Sequence, residues 1–159
     1  MTSPPSPLTS IDLTTTCPKI GVFRYMDAED WEIYKSYLEQ ASYAAGDILY
    51  REGDAGDFLA YIVSGHLEAL KETEFLAKPV ILAKFFAGSL VGEMAFIDGS
   101  CRSVSVKVIE DAELLIFTRQ SHEKLLDEAP RVMAKLFNGI SHLLSLRLRR
   151  ANDRLATLF

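Results

Sequence analysis

Seven of the chain's nine glycines fall between Gly46 and Gly99. Short apolar runs lie among and just after them: Ile48-Leu49-Tyr50, Phe58 to Val63, His66 to Leu70, Val80-Ile81-Leu82, Val104 to Ile109 and Leu114 to Phe117. Glycine reaches the positive-φ conformations that tight turns need. Short strands punctuated by glycine turns read as an antiparallel barrel or sandwich.

Helices are expected on both flanks. Asp27 suits an N-cap, with Glu29 and Asp30 in the first turn. Trp31, Tyr34 and Leu38 then recur at helical spacing, as a packing face does. After the strands, Gln120 to Glu128 reads as a short helix stopped near Ala129-Pro130. Arg131 to Leu158 reads as one long helix with Pro130 at or beside its start. Met133, Phe137, Ile140, Leu144, Leu148, Ala151 and Leu155 repeat every 11 residues, which keeps a stripe on one face. Leu136 and Leu143 form a second set that would face the strands. The stripe is about six turns long, more than the strand domain is expected to cover, so a homodimer through this helix is expected.

The chain has 159 residues, 48% of them hydrophobic, enough for one domain with a core. A net charge of −5 argues against a general nucleic-acid binder. Cys17 and Cys101 make no metal spacing or disulfide framework, which fits a reducing, cytoplasmic setting. No apolar run reaches a membrane span, and the N-terminus lacks the pattern of a signal peptide. Residues 1–20, rich in Ser, Thr and Pro, are expected to be a flexible tail. Glu72 to Pro79 reads as a loop. The three histidines, His66, His122 and His142, are far apart in sequence and suggest no metal site. No catalytic triad order, P-loop or carboxylate-rich cluster stands out, so an enzyme is not expected.

The stretch from Val91 to Val106 is the most distinctive. Gly92-Glu93 opens it, Met94-Ala95-Phe96-Ile97 makes a short apolar helical turn, and Asp98-Gly99 signals a reversal. Arg102 then leads through Ser103 and Val104 into a β-branched run. This resembles the phosphate-binding cassette of the cyclic-nucleotide-binding domain family, in the β-roll form of the catabolite-activator-like proteins. Two further stretches resemble the family, Ala45 to Asp57 and Tyr61 to Gly65, in the right order and at plausible spacing.

The resemblance implies a mainly β fold: an eight-stranded antiparallel β-roll (a jelly-roll-like double-stranded β-helix) with an N-terminal helix and a C-terminal helix pair. The domain would span 21–159, with the roll at about 43–118 and the C-terminal helices at about 120–158. The implied ligand is a cyclic nucleotide, cyclic AMP first and cyclic GMP as the other candidate, and no cofactor is implied. The ligand-binding residues would be Gly92, Glu93, Met94, Ala95, Arg102, Ser103 and Val104. Gly92 would let the backbone come close, and the helix N-terminus offers free N–H groups to an anion. Arg102 presents a planar fork of donors to phosphate oxygens, and ionised Glu93 can accept from a ribose 2′-hydroxyl.

A base contact is expected from the last helix, at Arg147 first and Arg150 second. Binding would move that helix and pass the signal to a protein partner. The chain departs from the family pattern at Val91, Cys101 and Val104, which bears on affinity and base choice more than on the site. No base preference is drawn from Ser103. No DNA-binding domain is expected after the last helix, and DNA binding by Arg147, Arg149, Arg150 and Arg154 alone would be weak. The alternatives are a degenerate roll serving as a protein-interaction module and a roll that binds another anionic ligand.

Overall fold

A computed structural model describes residues 21–73 and 78–157. The expected tail at 1–20 and the centre of the 72–79 loop lie outside the described residues. A 3₁₀ turn at Gly21–Phe23 and helix α1 (Ala28–Lys35) precede the sheet. The sheet contains β1 (Glu39–Tyr43), β2 (Ile48–Tyr50), β3 (Phe58–Lys71), β4 (Val80–Phe86), β5 (Leu90–Val91) and β6 (Ser105–Thr118). Helix α2 (Glu93–Asp98) sits between β5 and β6, and α3 (Arg119–Glu128) and α4 (Pro130–Ala156) follow the sheet.

The fold is mainly antiparallel β with flanking helices, with six strands among the described residues rather than eight. The apolar runs on either side of Gly65 fuse into the 14-residue β3, and those on either side of Glu110 fuse into the 14-residue β6. These two strands pair along their whole length, from Phe58 opposite Thr118 to Leu70 opposite Ser105. Register shifts between Ile62 and Leu67 bend the ladder. Each long strand then changes its outer neighbour: β3 holds β5 at one end and β4 at the other, and β6 holds β1 and β2. One bent pair thereby does the work of four shorter strands.

The continuous apolar text of these strands follows from burial on both faces. Leu59, Tyr61, Leu115 and Phe117 point to a helix-side core with Phe23, Trp31, Tyr34 and Phe96. Their sequence neighbours Ala60, Ile62, Leu114 and Ile116 fill the interior of the roll with Leu67, Val91 and Val106.

Asp27 caps α1 as expected, in a reciprocal capping box with Asp30. Trp31 and Tyr34 are buried, while Leu38 packs from beyond the helix end. Helix α4 is 27 residues long, about 40 Å at 1.5 Å per residue. Its stripe does not behave as one surface. Met133 and Ile140 are buried in the helix-side core beside Val132 and Leu136, while Leu148 and Leu155 are 63% and 55% exposed. The 3₁₀ turn and helices α1 and α3 therefore cover the first half of the stripe, and the outer half is open. Gly139 explains how closely the first half docks: a Cβ there would sit 1.7 Å from the Val22 carbonyl oxygen.

Candidate functional site

Gly92 precedes α2 with φ of +80°, a left-handed conformation that an L side chain rarely adopts. A Cβ on Gly92 would meet Arg102 Nη1 at 2.6 Å. The glycine thus turns the chain into α2 and leaves room for the arginine.

Arg102 is only 2% exposed. Nη1 donates to the Gly92 carbonyl at 2.8 Å and Nη2 to the Phe58 carbonyl at 2.6 Å. The guanidinium lies 4.2 Å from the Tyr50 ring centroid and 4.7 Å from that of Phe58. Its Nε is buried without a hydrogen-bond partner. Burial pulls the Arg102 pKa below its ordinary value, opposed by the electrostatics of Tyr50, Asp57, Asp54 and Glu93. The group remains a cation at neutral pH. Burial pushes the Tyr50 phenol up to about 12, so its ring is neutral. The backbone on either side is stapled: Arg102 N donates to Asp54 O, and Gly53 N donates to Arg102 O, both at 2.8 Å. The Gly53-Asp54 turn, tens of residues upstream, therefore helps to hold this arginine in place.

Glu93, the first residue of α2, is also 2% exposed. Arg147 Nη1 donates to Glu93 Oε1, and Nη2 donates to the Leu90 carbonyl at 2.7 Å. The Arg147 guanidinium also stands 5.6 Å from the centroid of the Phe85 ring. Arg147 thus ties helix α4 to the cassette.

All seven ligand-binding positions expected from the sequence, from Gly92 to Ala95 and from Arg102 to Val104, line one cavity. Arg147, Tyr50 and Phe85 line it too, but Arg150 does not. Arg150 lies in a larger groove that runs on under α4. The cavity has about 80 Å³ of free volume, below the roughly 300 Å³ at which small-molecule pockets begin.

The far end of α2 is held as firmly. Arg119 Nη2 donates to Phe96 O at 2.6 Å and to Gly56 O at 3.1 Å, with its guanidinium 4.1 Å from the centroid of the Phe96 ring. His122 lies edge-on to both Phe96 and Phe137, with centroids 5.7 and 5.8 Å away. Burial, and then the charge of Arg119, lower the His122 pKa from 6.5, which leaves it neutral at pH 7. Phe96 therefore connects the cassette to α3 and, through His122, to Phe137 on α4. Cys101, beside Arg102, is exposed and bridges to Ala55. Among the described residues no group of three or more His, Cys, Asp or Glu side chains could hold a metal ion. No described helix is long and apolar enough to cross a membrane.

The β-roll thus buries an arginine and a glutamate in the wall of one cavity, beneath a helix. The chain belongs to the cyclic nucleotide-binding domain family, whose model matches residues 40–129. It is 30% identical over 137 residues to the Cyclic AMP receptor protein of Thermus thermophilus, a match covering 86% of this chain and 61% of that one. A cyclic nucleotide-binding domain from Methylobacillus flagellatus has the same fold, with a TM-score of 0.78 at 28% identity over 84% of this chain and 75% of that one. The Thermus thermophilus Catabolite Activator Protein superposes with a TM-score of 0.74 at 29% identity, over 86% of this chain and 62% of that one. The chain spans about three fifths of the length of these Thermus relatives.

Proposed function

We propose that this domain is a receptor for a cyclic nucleotide, with cyclic AMP preferred among the cyclic mononucleotides, and that it acts by binding rather than catalysis. The observation that carries the reading is Arg102, a buried cation whose Nε has no partner among the described residues and whose neighbours are carbonyls and aromatic rings. A buried donor left unsatisfied costs about 1–3 kcal/mol, and a phosphate oxygen in the cavity satisfies it. Glu93 takes the ribose 2′-hydroxyl, Gly92, Met94 and Ala95 supply close backbone, and Ser103 and Val104 flank the phosphate. The resemblance to a protein named as a cyclic AMP receptor supports cyclic AMP over cyclic GMP.

Output passes through α4. The ribose hydroxyl arrives at the carboxylate that Arg147 holds, so nucleotide and helix compete for Glu93. Arg147 is committed to Glu93 and Leu90. As a base contact it has to leave Glu93, and Phe85 offers a flat face beside it. Hydrogen exchange along residues 147–156 that stays the same with and without nucleotide contradicts the helix part of this reading.

The alternative, a roll that binds no nucleotide and serves as an interaction module, is favoured by one observation: Arg147 already neutralises Glu93 in a small cavity. Calorimetry with cyclic AMP and its 2′-deoxy analogue separates the two. A hydrogen bond to a charged group is worth about 1.5–3 kcal/mol, so the wild type should prefer cyclic AMP by about tenfold or more, and Glu93→Ala should erase most of that preference. Equal affinity for both nucleotides removes Glu93 from the site. A folded protein that ignores both at millimolar concentration supports the interaction module.

A further inference from the structure

The groove under α4 is not closed off from the cassette. Phe85, Met94, Ser103, Val104 and Arg147 belong to the walls of both spaces. The groove is much the larger, at about 620 Å³. Leu82, Leu143 and Leu146 give it apolar walls. Four cationic side chains line it, Lys84, Arg147, Arg150 and Arg154, with no carboxylate among the lining residues. This is a local inversion of charge in a chain whose net charge is −5.

Two of the four cations are already paired, Lys84 with Glu68 at 3.4 Å and Arg147 with Glu93. The side chains of Arg150 and Arg154 form no ion pair or hydrogen bond among the described residues. They stand one helical turn apart on α4. A ligand with a single phosphate, seated on Arg102, leaves both guanidiniums without an anion.

We propose that the groove receives a second phosphate-bearing nucleotide unit, so that a cyclic dinucleotide is bound in preference to a cyclic mononucleotide. This rests on the reading of Arg102 and Glu93 given above. One phosphate meets Arg102 in the cassette, and the second meets Arg150 and Arg154 at the rim. The second base lies against the apolar walls formed by Leu82, Leu143 and Leu146. A cyclic dinucleotide with 3′,5′ linkages keeps a free 2′-hydroxyl on each ribose, so the contact to Glu93 is preserved. Arginine–phosphate pairs are bidentate and charge-assisted, which suits a rim of guanidiniums better than a neutral ligand would.

The test is a calorimetric titration of the full chain with cyclic AMP, cyclic GMP, cyclic di-GMP and cyclic di-AMP, repeated with Arg154→Glu and with Arg102→Ala. At least one cyclic dinucleotide should bind about tenfold or more tightly than either mononucleotide, an advantage that shrinks as salt is raised. Arg154→Glu should remove that advantage and change cyclic AMP affinity by less than about threefold. A mononucleotide that binds as tightly as both dinucleotides, or dinucleotide affinity unmoved by Arg154→Glu, overturns the proposal while leaving the cassette reading intact. Nucleotide binding that survives Arg102→Ala overturns the cassette reading itself. If light scattering shows that Arg154→Glu splits a dimer and no dinucleotide binds, the groove belongs to a second copy of the chain and the proposal fails.

Discussion

The guanidinium of Arg102 is positioned by neutral groups. Two carbonyls take its Nη protons, and the Tyr50 and Phe58 rings lie beside it. Among the described residues no carboxylate forms an ion pair with it. A cation over an aromatic face is worth about 0.5–2 kcal/mol, or roughly 2-fold to 30-fold in affinity. Tyr50→Leu should weaken cyclic AMP binding within that range, and Tyr50→Phe, which keeps the ring, should restore most of it. Calorimetry on variants with matched melting temperatures checks this, and a Leu variant that binds as tightly as the Phe variant removes the ring from the site. At this scale the sequence shows the functional types and not their partners. Glu93 and Arg102 stand out because they share one short stretch with Gly92. Phe58 is 44 residues from Arg102, and Arg147 is 54 from Glu93, so the contacts exist only after folding. Tyr50 and Phe85 read in the sequence as ordinary strand aromatics and become cavity walls only when β2 and β4 close the roll.

Elements show a related pattern. The existence and order of the helices were legible because capping residues and an apolar period are local signals. Strand number was not, because a bulge and a true turn look alike in sequence: Gly65 bends β3 without ending it. The stripe on α4 fixes which residues share a face, but not what covers them, and the 3₁₀ turn with helices α1 and α3 took half of it. Gly139 marks where the helix meets the 3₁₀ turn. In an isolated helix Gly→Ala gains about 0.8–1 kcal/mol. Here the added Cβ would overlap the Val22 carbonyl, and overpacking costs about 1–3 kcal/mol. Gly139→Ala should therefore lower stability in urea unfolding despite its helix propensity. A stabilised variant would show that the 3₁₀ turn does not press on α4.

On the scale of the whole molecule, α4 carries two surfaces of different kinds. Its inner half belongs to the core, and its outer half presents Leu148 and Leu155 to solvent, with Leu146 part-covered at the groove. The dimer we propose through this helix is therefore confined to the outer half. Leu148→Glu should shift light scattering from dimer to monomer without changing the melting profile of the roll, whereas a monomeric wild type at high micromolar concentration contradicts the dimer. Arg147 lies where the covered half gives way to the open one, so the proposed dimer and the proposed nucleotide site meet on the same segment.

The proposed binding depends on one cation in one cavity. Truncating one partner of a buried charge pair costs about 2–5 kcal/mol, and each 1.4 kcal/mol is about tenfold in affinity. The measurement is the dissociation constant for cyclic AMP by calorimetry on wild type and Arg102→Ala, with both proteins shown to be folded by circular dichroism. The variant should bind at least about thirtyfold more weakly. A folded Arg102→Ala that binds cyclic AMP as tightly as the wild type would contradict that dependence.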